Sequence, residues 1–147
     1  MSTYSFLNVN ASLVGPGGSI NLAQGAGASD EGITIEAAED IDTQTIGADG
    51  TAMHSLHANK SGSFTVRLLK TSATNQQLML MYNYQTSTAA NHGQNTLTLT
   101  DTNLGDLVTL RNVAFKRAPT LVYGKEGGMN EWAFNAGQID RVLGANA

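Results

Sequence analysis

Short segments in which apolar and polar residues alternate, separated by turn-forming residues, dominate this sequence of 147 residues. Apolar residues occupy every second position from Phe64 to Leu68, and the same period of two starts again at Ile33, Thr96 and Trp132. A period of two indicates a strand with one buried and one solvated face, whereas a surface helix has a period near 3.6. The sequence therefore predicts a mainly β protein, a sandwich or a barrel, with the segment from Trp132 as its last strand.

Glycine, proline and asparagine mark where the predicted strands turn or bend. Residues 5–14 are β-prone and precede Gly15-Pro16-Gly17-Gly18, in which proline at the second position and glycine at the third fit a type II turn. A return strand follows this turn, and the small polar residues from Gly25 to Gly32 predict a loop. The apolar positions between Val108 and Phe115 change phase near Asn112, which predicts a β-bulge there.

The segment around residues 74–86 departs from the period of two. Thr74-Asn75-Gln76-Gln77 has the pattern of a capping box, in which the Thr74 hydroxyl caps the first turn and Gln77 reaches back to it. The residues from Leu78 to Tyr84 include many helix formers and are apolar on almost every side. We therefore predict a single helix over about residues 75–86, packed on the sheet with its methionines and tyrosines in the core.

The charged residues are divided unevenly between the two halves of the chain. No lysine or arginine occurs before Lys60, whereas the acids of residues 1–59 are Asp30, Glu31, Glu36, Glu39, Asp40, Asp42 and Asp49. This asymmetry predicts an acidic surface, and the lack of a basic cluster interleaved with aromatic residues argues against specific nucleic-acid binding. With no cysteine, no signal segment and no apolar run long enough for a bilayer, we expect one soluble domain over residues 1–147.

No motif in the chain has the spacing that catalysis or metal binding requires. His54 and His57 have an H-x-x-H spacing, but positions three apart on a strand point to opposite faces, and no third ligand lies close in the sequence. His92 stands alone among asparagine, glycine and glutamine. The glycine-rich segments lack the lysine and helix of a phosphate-binding loop, and there is no nucleophile elbow. We therefore predict no catalytic residue, no metal and no cofactor, and a protein that is not an enzyme.

Residues 41–61 combine a strong turn signal with few large apolar residues. Asp49-Gly50 predicts a type I′ hairpin turn between strand-compatible arms. A two-stranded hairpin with so little to bury is marginal by itself in water. We therefore predict that this hairpin arm contacts a neighbouring subunit. The residues expected to make the contact are Thr43, Gln44, Thr45, Ile46, Asp49, Gly50, Met53, His54 and Leu56.

Several short segments, taken in order along the chain, form a recognisable set. The main one runs from Glu31 to Ser72 and includes an acidic strand, a polar arm, and a strand that opens at Ser61-Gly62. The others are Tyr4-Ser5-Phe6-Leu7, Gly15-Pro16-Gly17-Gly18, the predicted helix, His92-Gly93-Gln94-Asn95, Lys125-Glu126-Gly127-Gly128 and Glu131-Trp132. Together they cover nearly the whole chain and resemble the small tail tube proteins of contractile-tailed phages.

This resemblance implies a β-sandwich with one flanking helix, whose copies assemble into hexameric rings that stack into a hollow tube. Strands from all subunits would join into one continuous barrel, which removes exposed sheet edges. The implied partners, besides further copies of the chain, are a tail sheath protein, a tape-measure protein, genomic DNA in the lumen, and the baseplate and tail terminator proteins. The implied location is the tail of the virion, assembled in the host cytoplasm without membrane contact.

The polar face of the strand that begins at Ile33 is the expected lining of the lumen. The lumen-lining candidates are Thr34, Glu36, Asp40, Thr65 and Arg67. On the opposite face, Ile33 and Ile35 are expected to pack in the core against Phe64, Val66 and Leu68. Because a base in the lumen would attract DNA, we predict that an ion pair with Glu36 across the strands neutralises Arg67.

Two other classes of protein remain compatible with the sequence alone. One is the inner tube protein of a secretion apparatus, which shares the fold and the ring. The other is a capsid decoration or fibre-associated β module that binds a surface or a glycan. The assembly that the purified protein forms separates the three, because only a tail tube gives long hollow rods.

Overall fold

The computed structural model describes residues 4–22 and 28–144 of the chain. These residues form ten strands, one α-helix and a short 3-10 helix at Phe6–Asn8. The strands are β1 (Val9–Gly15), β2 (Gly18–Asn21), β3 (Ala28–Ala37), β4 (Asp42–Ile46), β5 (Ala52–Leu56), β6 (Gly62–Leu69), β7 (Asn95–Asp101), β8 (Asp106–Arg117), β9 (Met129–Ala136) and β10 (Gln138–Val142), and the helix α1 is Thr74–Thr86. The predicted mainly β class with one flanking helix is confirmed.

Seven of these strands follow one antiparallel path, an eighth, β10, pairs with β8 beside that path, and the whole divides into two sheets. Sheet I contains β2, β1, β7, the first part of β8 and β10. Sheet II contains the last part of β8 (Ala114–Arg117), β9, β6 and β3. The other two strands, β4 and β5, pair with each other as a separate two-stranded sheet.

Alternate residues of both sheets point into one hydrophobic core. In β6 the buried side chains are Phe64, Val66 and Leu68, and the residues between them are only half-buried. The register places Ile35 opposite Phe64 and Ile33 opposite Val66, and both isoleucines pack against the core. The predicted core partners of β3 are therefore confirmed.

Aromatic rings on three strands of sheet II contact one another inside this core. Phe64 stacks on Phe134 with ring centroids 4.5 Å apart, and Phe115 lies 4.7 Å from Phe134 and 6.0 Å from Trp132. Such pairs contribute about 0.5–1.5 kcal/mol each beyond the burial of their area. The Trp132 indole N–H donates to the Asn75 side-chain oxygen at 3.0 Å, so its one polar atom is satisfied although the ring is buried.

Strand β8 belongs to both sheets because it bends at Asn112. Asn95 pairs with Val113 while Leu97 pairs with Leu110, so β8 has one residue more than β7 over this stretch. Asn112 has a φ of 53°, in the left-handed region that asparagine enters more readily than most residues. The bulge predicted near Asn112 is confirmed.

Gly137 lies beside this bend and separates β9 from β10. Its N–H donates to the carbonyl oxygens of Arg111 at 3.0 Å and Asn112 at 3.3 Å, and a Cβ at 137 would lie 2.9 Å from the Asn112 Cβ. Strand β10 then continues along β8, so the prediction that the strand from Trp132 is the last one is wrong. The sequence hides β10 because only Ile139 among its five residues is buried, which leaves no alternation to detect.

The turn and the loop predicted near the start of the chain compare differently with the structure. Gly17 has a φ of 100°, as the third position of a type II turn requires, and the segment Gly15–Gly18 joins β1 to β2. The first three residues of the loop predicted from Gly25 to Gly32 lie outside the described residues. The remaining residues already belong to β3, so the loop prediction is wrong there: Ala28 pairs with Leu68 of β6, and the register shifts before Ile33 pairs with Val66.

Helix α1 confirms the predicted helix but not its predicted cap. The N-cap residue is Ala73, which makes no side-chain capping hydrogen bond. Thr74 is the first helical residue and is buried, and its own N–H donates to the Ser72 hydroxyl oxygen at 3.2 Å. The capping box is therefore wrong, because the helix begins one residue earlier than that pattern requires.

One narrow stripe of α1 faces the core. Its buried residues are Thr74, Leu78, Met81 and Gln85. Exposed large side chains on the same helix are Met79, Leu80 and Tyr84, so the core position expected for the methionines and tyrosines is wrong for Met79 and Tyr84. No helix within residues 4–22 and 28–144 is long and apolar enough to cross a membrane.

Candidate functional site: the hairpin arm and the outward face of sheet II

The hairpin arm, residues 41–61, is exposed along its whole ladder. Its register runs from Asp42 opposite Leu56 to Ile46 opposite Ala52, and no other strand of the described chain pairs with it. Its large apolar side chains are left in solvent: Ile41 is 53%, Ile46 57%, Met53 59% and Leu56 83% exposed. Ile46 and Leu56 lie at opposite ends of the ladder and Met53 lies on its other face, so apolar side chains are exposed along the arm rather than in one patch.

The arm has two different faces, because residues opposite each other in an antiparallel pair share a face. One face carries two of the three large apolar side chains of the ladder together with an acid. Its residues are Asp42, Leu56, Gln44, His54, Ile46 and Ala52. The other face is mostly hydroxyl-bearing, and its residues are Thr43, Ser55, Thr45 and Met53. All residues of β4 and β5 that were predicted to contact a neighbouring subunit are exposed or half-buried.

The tip of the arm turns differently from the type I′ prediction. A type I′ turn needs positive φ at both central residues, but only Gly50, at 89°, has one here. Gly50 N–H instead donates to the Gly47 carbonyl at 3.0 Å, which makes Gly47–Gly50 a four-residue turn. The Asp49 carboxylate accepts the Thr51 backbone N–H at 3.0 Å, and this hydrogen bond holds the pKa of Asp49 below its ordinary value.

The histidines of the arm make local contacts. His54 Nδ1 lies 3.0 Å from an Asp42 oxygen, and His57 Nε2 lies 2.6 Å from the Thr43 hydroxyl. His92 is exposed in the connection between α1 and β7. Among the residues that the structure describes, no three His, Cys, Asp or Glu side chains are close enough together to hold a metal ion. The histidine contacts fit cross-strand hydrogen bonding on an exposed hairpin.

Four of the five predicted lumen residues share the outward face of sheet II. Thr34 stands directly opposite Thr65, and Glu36 stands opposite Ser63. Thr34 and Glu36 are exposed, and Thr65 is half-buried. The fourth, Arg67, follows two residues after Thr65 on the same face of β6.

Asp40 is the fifth predicted lumen residue, and it lies beyond the end of β3. It lines a cleft of about 560 Å³ where the hairpin arm joins the sheets, together with residues of β10. The cleft is lined by Ala37, Glu39, Asp40, Ile41, Asn59, Lys60, Ser61, Ile139, Asp140 and Arg141. Asp40 therefore belongs to the root of the arm rather than to the sheet.

The partner of Arg67 differs from the prediction. Arg67 Nη2 lies 2.9 Å from a carboxylate oxygen of Glu131, its direct neighbour on β9. Glu36 pairs with Ser63, four positions along β6, which is about 13 Å at roughly 3.3 Å per residue. The predicted Glu36–Arg67 ion pair is therefore wrong, because the register keeps the two residues apart.

The two edges of sheet II were not identified from the sequence. Within the described residues, β3 pairs on one side with β6, and the last part of β8 pairs on one side with β9. The sequence does contain a signal for these edges, namely the charge of two predicted strands. Acids lie near Ile33 in one strand, and Lys116-Arg117 lies at the end of the strand that contains Phe115. Free edges matter because their unpaired N–H and C=O groups can pair with a further strand.

The described residues thus form a sandwich with open sheet edges and an exposed hairpin. A model of the Bacteriophage PhiTE tail tube protein family matches residues 1–144, and the chain belongs to this family of structural tail proteins. The resemblance found in the sequence is thereby confirmed. None of the curated proteins matches the sequence.

Solved structures share the fold at low sequence identity. A chain of the anti-feeding prophage baseplate has a TM-score of 0.64 at 11% identity, over 100% of both chains. A chain in the tail of an empty GTA particle has a TM-score of 0.60 at 14% identity, over 97% of this chain and 100% of that one. A chain in the sheath–tube complex of the extracellular contractile injection system PVC has 0.59 at 11%, over 96% and 92%.

Proposed function

We propose that this protein polymerises into rings, and that the rings stack into the hollow inner tube of a phage tail. Membership of the tail tube family supports the proposal. The observation that carries it is that sheet II, within the described residues, ends in two free edges while the hairpin arm leaves four large apolar side chains in solvent. A subunit with both features is completed by further copies of itself.

Six copies per ring is the proposed number. The resemblance to small tail tube proteins implies it, and the fold relative from the GTA tail was resolved with C6 symmetry. In this arrangement the hairpin arm of each copy lies on a neighbouring copy, where Ile46, Met53 and Leu56 lose their contact with water. Burying an apolar side chain of this size stabilises an interface by about 1.5–3 kcal/mol.

The outward face of sheet II is the proposed wall of the lumen. It presents Thr34, Glu36 and Thr65, and its base Arg67 is already neutralised by Glu131. DNA binds proteins mainly where lysine and arginine displace counterions from its phosphates. The pairing of Arg67 with Glu131 therefore weakens the attraction of this face for DNA.

The proposed partners follow from this position in the tail. A sheath protein lies outside the tube, a tape-measure protein and then genomic DNA lie inside, and baseplate and terminator proteins close the ends. Fold relatives occur in a sheath–tube complex, a sheath/tube terminator and a baseplate, which supports these partners. The proposed location of the protein is the tail of the virion, after assembly in the host cytoplasm. We further propose that the protein has a structural role and is not an enzyme.

Electron microscopy of the purified protein tests this function. We expect hollow rods of constant diameter, both from the isolated protein and from tails of disrupted particles. Isolated rings would favour the inner tube of a secretion apparatus, and monomers or trimers would favour a decoration module. Either of these outcomes would contradict the proposal.

A further inference from the structure

We propose that the tip of the hairpin arm is a site of spontaneous chemical modification, at which Asp49 converts to isoaspartate through a cyclic imide formed with Gly50. The modification uses no enzyme and no reagent other than water. Its chemistry is independent of the proposed function, whereas its effect on assembly rests on that function.

The residue that follows Asp49 makes this position unlike the other acids of the chain. Asp49-Gly50 is the one place in the sequence where an aspartate or an asparagine precedes a glycine. Glycine has no Cβ to crowd the backbone nitrogen that has to attack the carboxyl group. Asp40 and Asp42, at the start of the same arm, precede β-branched residues, which crowd that nitrogen most. The reaction is therefore expected at Asp49 and not at Asp40 or Asp42.

The structure leaves both reacting groups of the tip accessible. Asp49 is exposed, and a Cβ built on Gly50 would have no atom within 4 Å. The ladder of the arm ends where Ile46 pairs with Ala52, and no other strand of the described chain supports it. A two-stranded hairpin without further support is marginal in water, so its tip opens locally far more often than the sandwich unfolds.

The hydrogen bonds of the tip slow the reaction while the tip is closed. The Gly50 N–H that must be lost donates to the Gly47 carbonyl at 3.0 Å. The Asp49 carboxylate accepts the Thr51 backbone N–H at 3.0 Å, and this bond holds the pKa of Asp49 below its ordinary value. The neutral carboxyl group, which can release an oxygen as water, is therefore scarce. Isomerisation proceeds in those molecules whose tip has opened.

The reaction balances with water as the co-reactant. In the open tip, the Gly50 nitrogen attacks the Asp49 Cγ, and a bond forms between these two atoms. The amide proton and the carboxyl hydroxyl leave together as water, which closes a five-membered imide. A water molecule that adds to the main-chain carbonyl carbon of Asp49 breaks its bond to the Gly50 nitrogen and gives isoaspartate. Addition of water to Cγ restores aspartate.

Isoaspartate changes the backbone of the tip. The main chain then runs through the former side chain, which adds one CH2 group between residues 49 and 50. The four-residue turn from Gly47 no longer has the length that lets the Gly50 N–H reach the Gly47 carbonyl, and the Thr51 N–H loses its acceptor. A ladder of five residue pairs has little else to hold it closed. A modified subunit should therefore stay folded but enter tubes poorly.

Peptide mapping of aged protein tests the modification. The purified wild-type subunit is incubated in mildly acidic buffer and then treated with an isoaspartate methyltransferase, which methylates isoaspartate and leaves aspartate unchanged. Electron-transfer fragmentation of the peptides locates the isomerised residue. We expect isoaspartate to accumulate at Asp49 with time. Its absence at Asp49, or equal amounts at Asp40 and Asp42, would overturn the proposal.

Two variants control for the roles of the two residues. Asp49→Glu keeps the charge but enlarges the ring that has to close, so position 49 should stay unmethylated. Gly50→Asn introduces a Cβ in a residue that tolerates positive φ. It should lower the initial rate at position 49 at least about tenfold, which corresponds to about 1.4 kcal/mol of activation free energy. Circular dichroism establishes that both variants are folded. A Gly50→Asn variant that isomerises at the wild-type rate would overturn the assignment.

Sedimentation tests the effect on assembly. A partly aged wild-type sample is allowed to polymerise, and isoaspartate at position 49 is measured in the pelleted tubes and in the supernatant. We expect the modified fraction to be at least about tenfold higher in the supernatant, which corresponds to about 1.4 kcal/mol of association free energy. Equal fractions would overturn the effect on assembly. Fresh protein that forms no tubes would overturn the proposed function and that effect, whereas the peptide map decides the modification independently.

Discussion

The side-chain amides of Gln85 and Asn95 hydrogen-bond each other in both directions, Nε2 to Oδ1 at 2.7 Å and Nδ2 to Oε1 at 2.6 Å. Both side chains are fully buried, and Gln85 Nε2 also donates to the Pro16 carbonyl at 2.8 Å. The pair joins the end of α1, the turn after β1 and the start of β7. Gly15 makes room for it, since a Cβ there would lie 1.8 Å from the Asn95 Oδ1.

Replacing Gln85 by leucine should lower the free energy of unfolding by about 2–4 kcal/mol, because the buried Asn95 amide and the half-buried Pro16 carbonyl lose their hydrogen-bond partner. Denaturant unfolding followed by circular dichroism measures the change. Gln77→Leu is the matched control on the exposed side of the same helix, and it should shift stability by less than about 0.5 kcal/mol. Equal stability of the two variants would contradict a structural role for the amide pair.

Trp132→Ala and Phe64→Ala should each lower the free energy of unfolding by about 3–5 kcal/mol, because both rings are buried in the aromatic core of sheet II. Loss of the Trp132 ring also leaves Asn75 without the indole N–H. Thermal and denaturant unfolding of the purified subunit measure the effect before any assembly. If the free energy of unfolding fell by less than about 1 kcal/mol in either variant, that result would contradict a core position for the ring.

Alanine at His54, His57 or His92 should change stability by no more than about 0.5 kcal/mol, because all three side chains lie at the surface. We expect each variant to form tubes and to support infection, since the proposed function needs no histidine chemistry. Infectivity and tube formation measured on the same panel check this. A histidine variant with normal tubes but inactive particles would reveal a role that assembly does not explain.

Asn112→Val should destabilise the protein by about 1–2 kcal/mol, because a β-branched residue is strained at a φ of 53°, whereas Asn112→Gly should be nearly neutral. Unfolding midpoints of the two variants give the comparison. A valine variant as stable as the glycine variant would mean that the bend does not depend on this conformation.

Deleting Thr45 to Leu56 should leave a folded subunit that no longer forms tubes, because the ladder of the hairpin arm pairs only with itself among the described strands. Circular dichroism tests the fold, and electron microscopy tests assembly. A smaller change, Leu56→Ser, keeps the arm and removes only its most exposed apolar side chain, so it should weaken assembly without abolishing the fold. Normal polymerisation of the deletion variant would show that the arm does not join subunits.

The sequence alone predicts those features that depend on local periodicity. The period of two in β6 and β3 identifies which residues face the core, and the change of phase at Asn112 identifies the bulge. The hairpin arm also follows from local composition. The core-facing residues, the bulge and the hairpin arm could be predicted because residues close together in the sequence determine them.

Features that depend on the register between distant strands could not be predicted in the same way. Arg67 pairs with Glu131 because β9, and not the acidic strand β3, brings a carboxylate directly opposite it. The helix cap depends on how Thr74 packs, and β10 depends on its alignment with β8 past Gly137. The free edges of sheet II likewise appear only when the strand order is known.

Strand β8 gives the subunit a mechanical property that follows from its bend at Asn112. In a sandwich whose sheets touch only through side chains, a shearing force can slide one layer over the other. Here a covalent backbone runs from sheet I into sheet II, so tension applied to one sheet passes to the other through peptide bonds. A pull on one sheet is therefore carried to the other by the chain itself, through the bend at Asn112 and through Gly137 between β9 and β10.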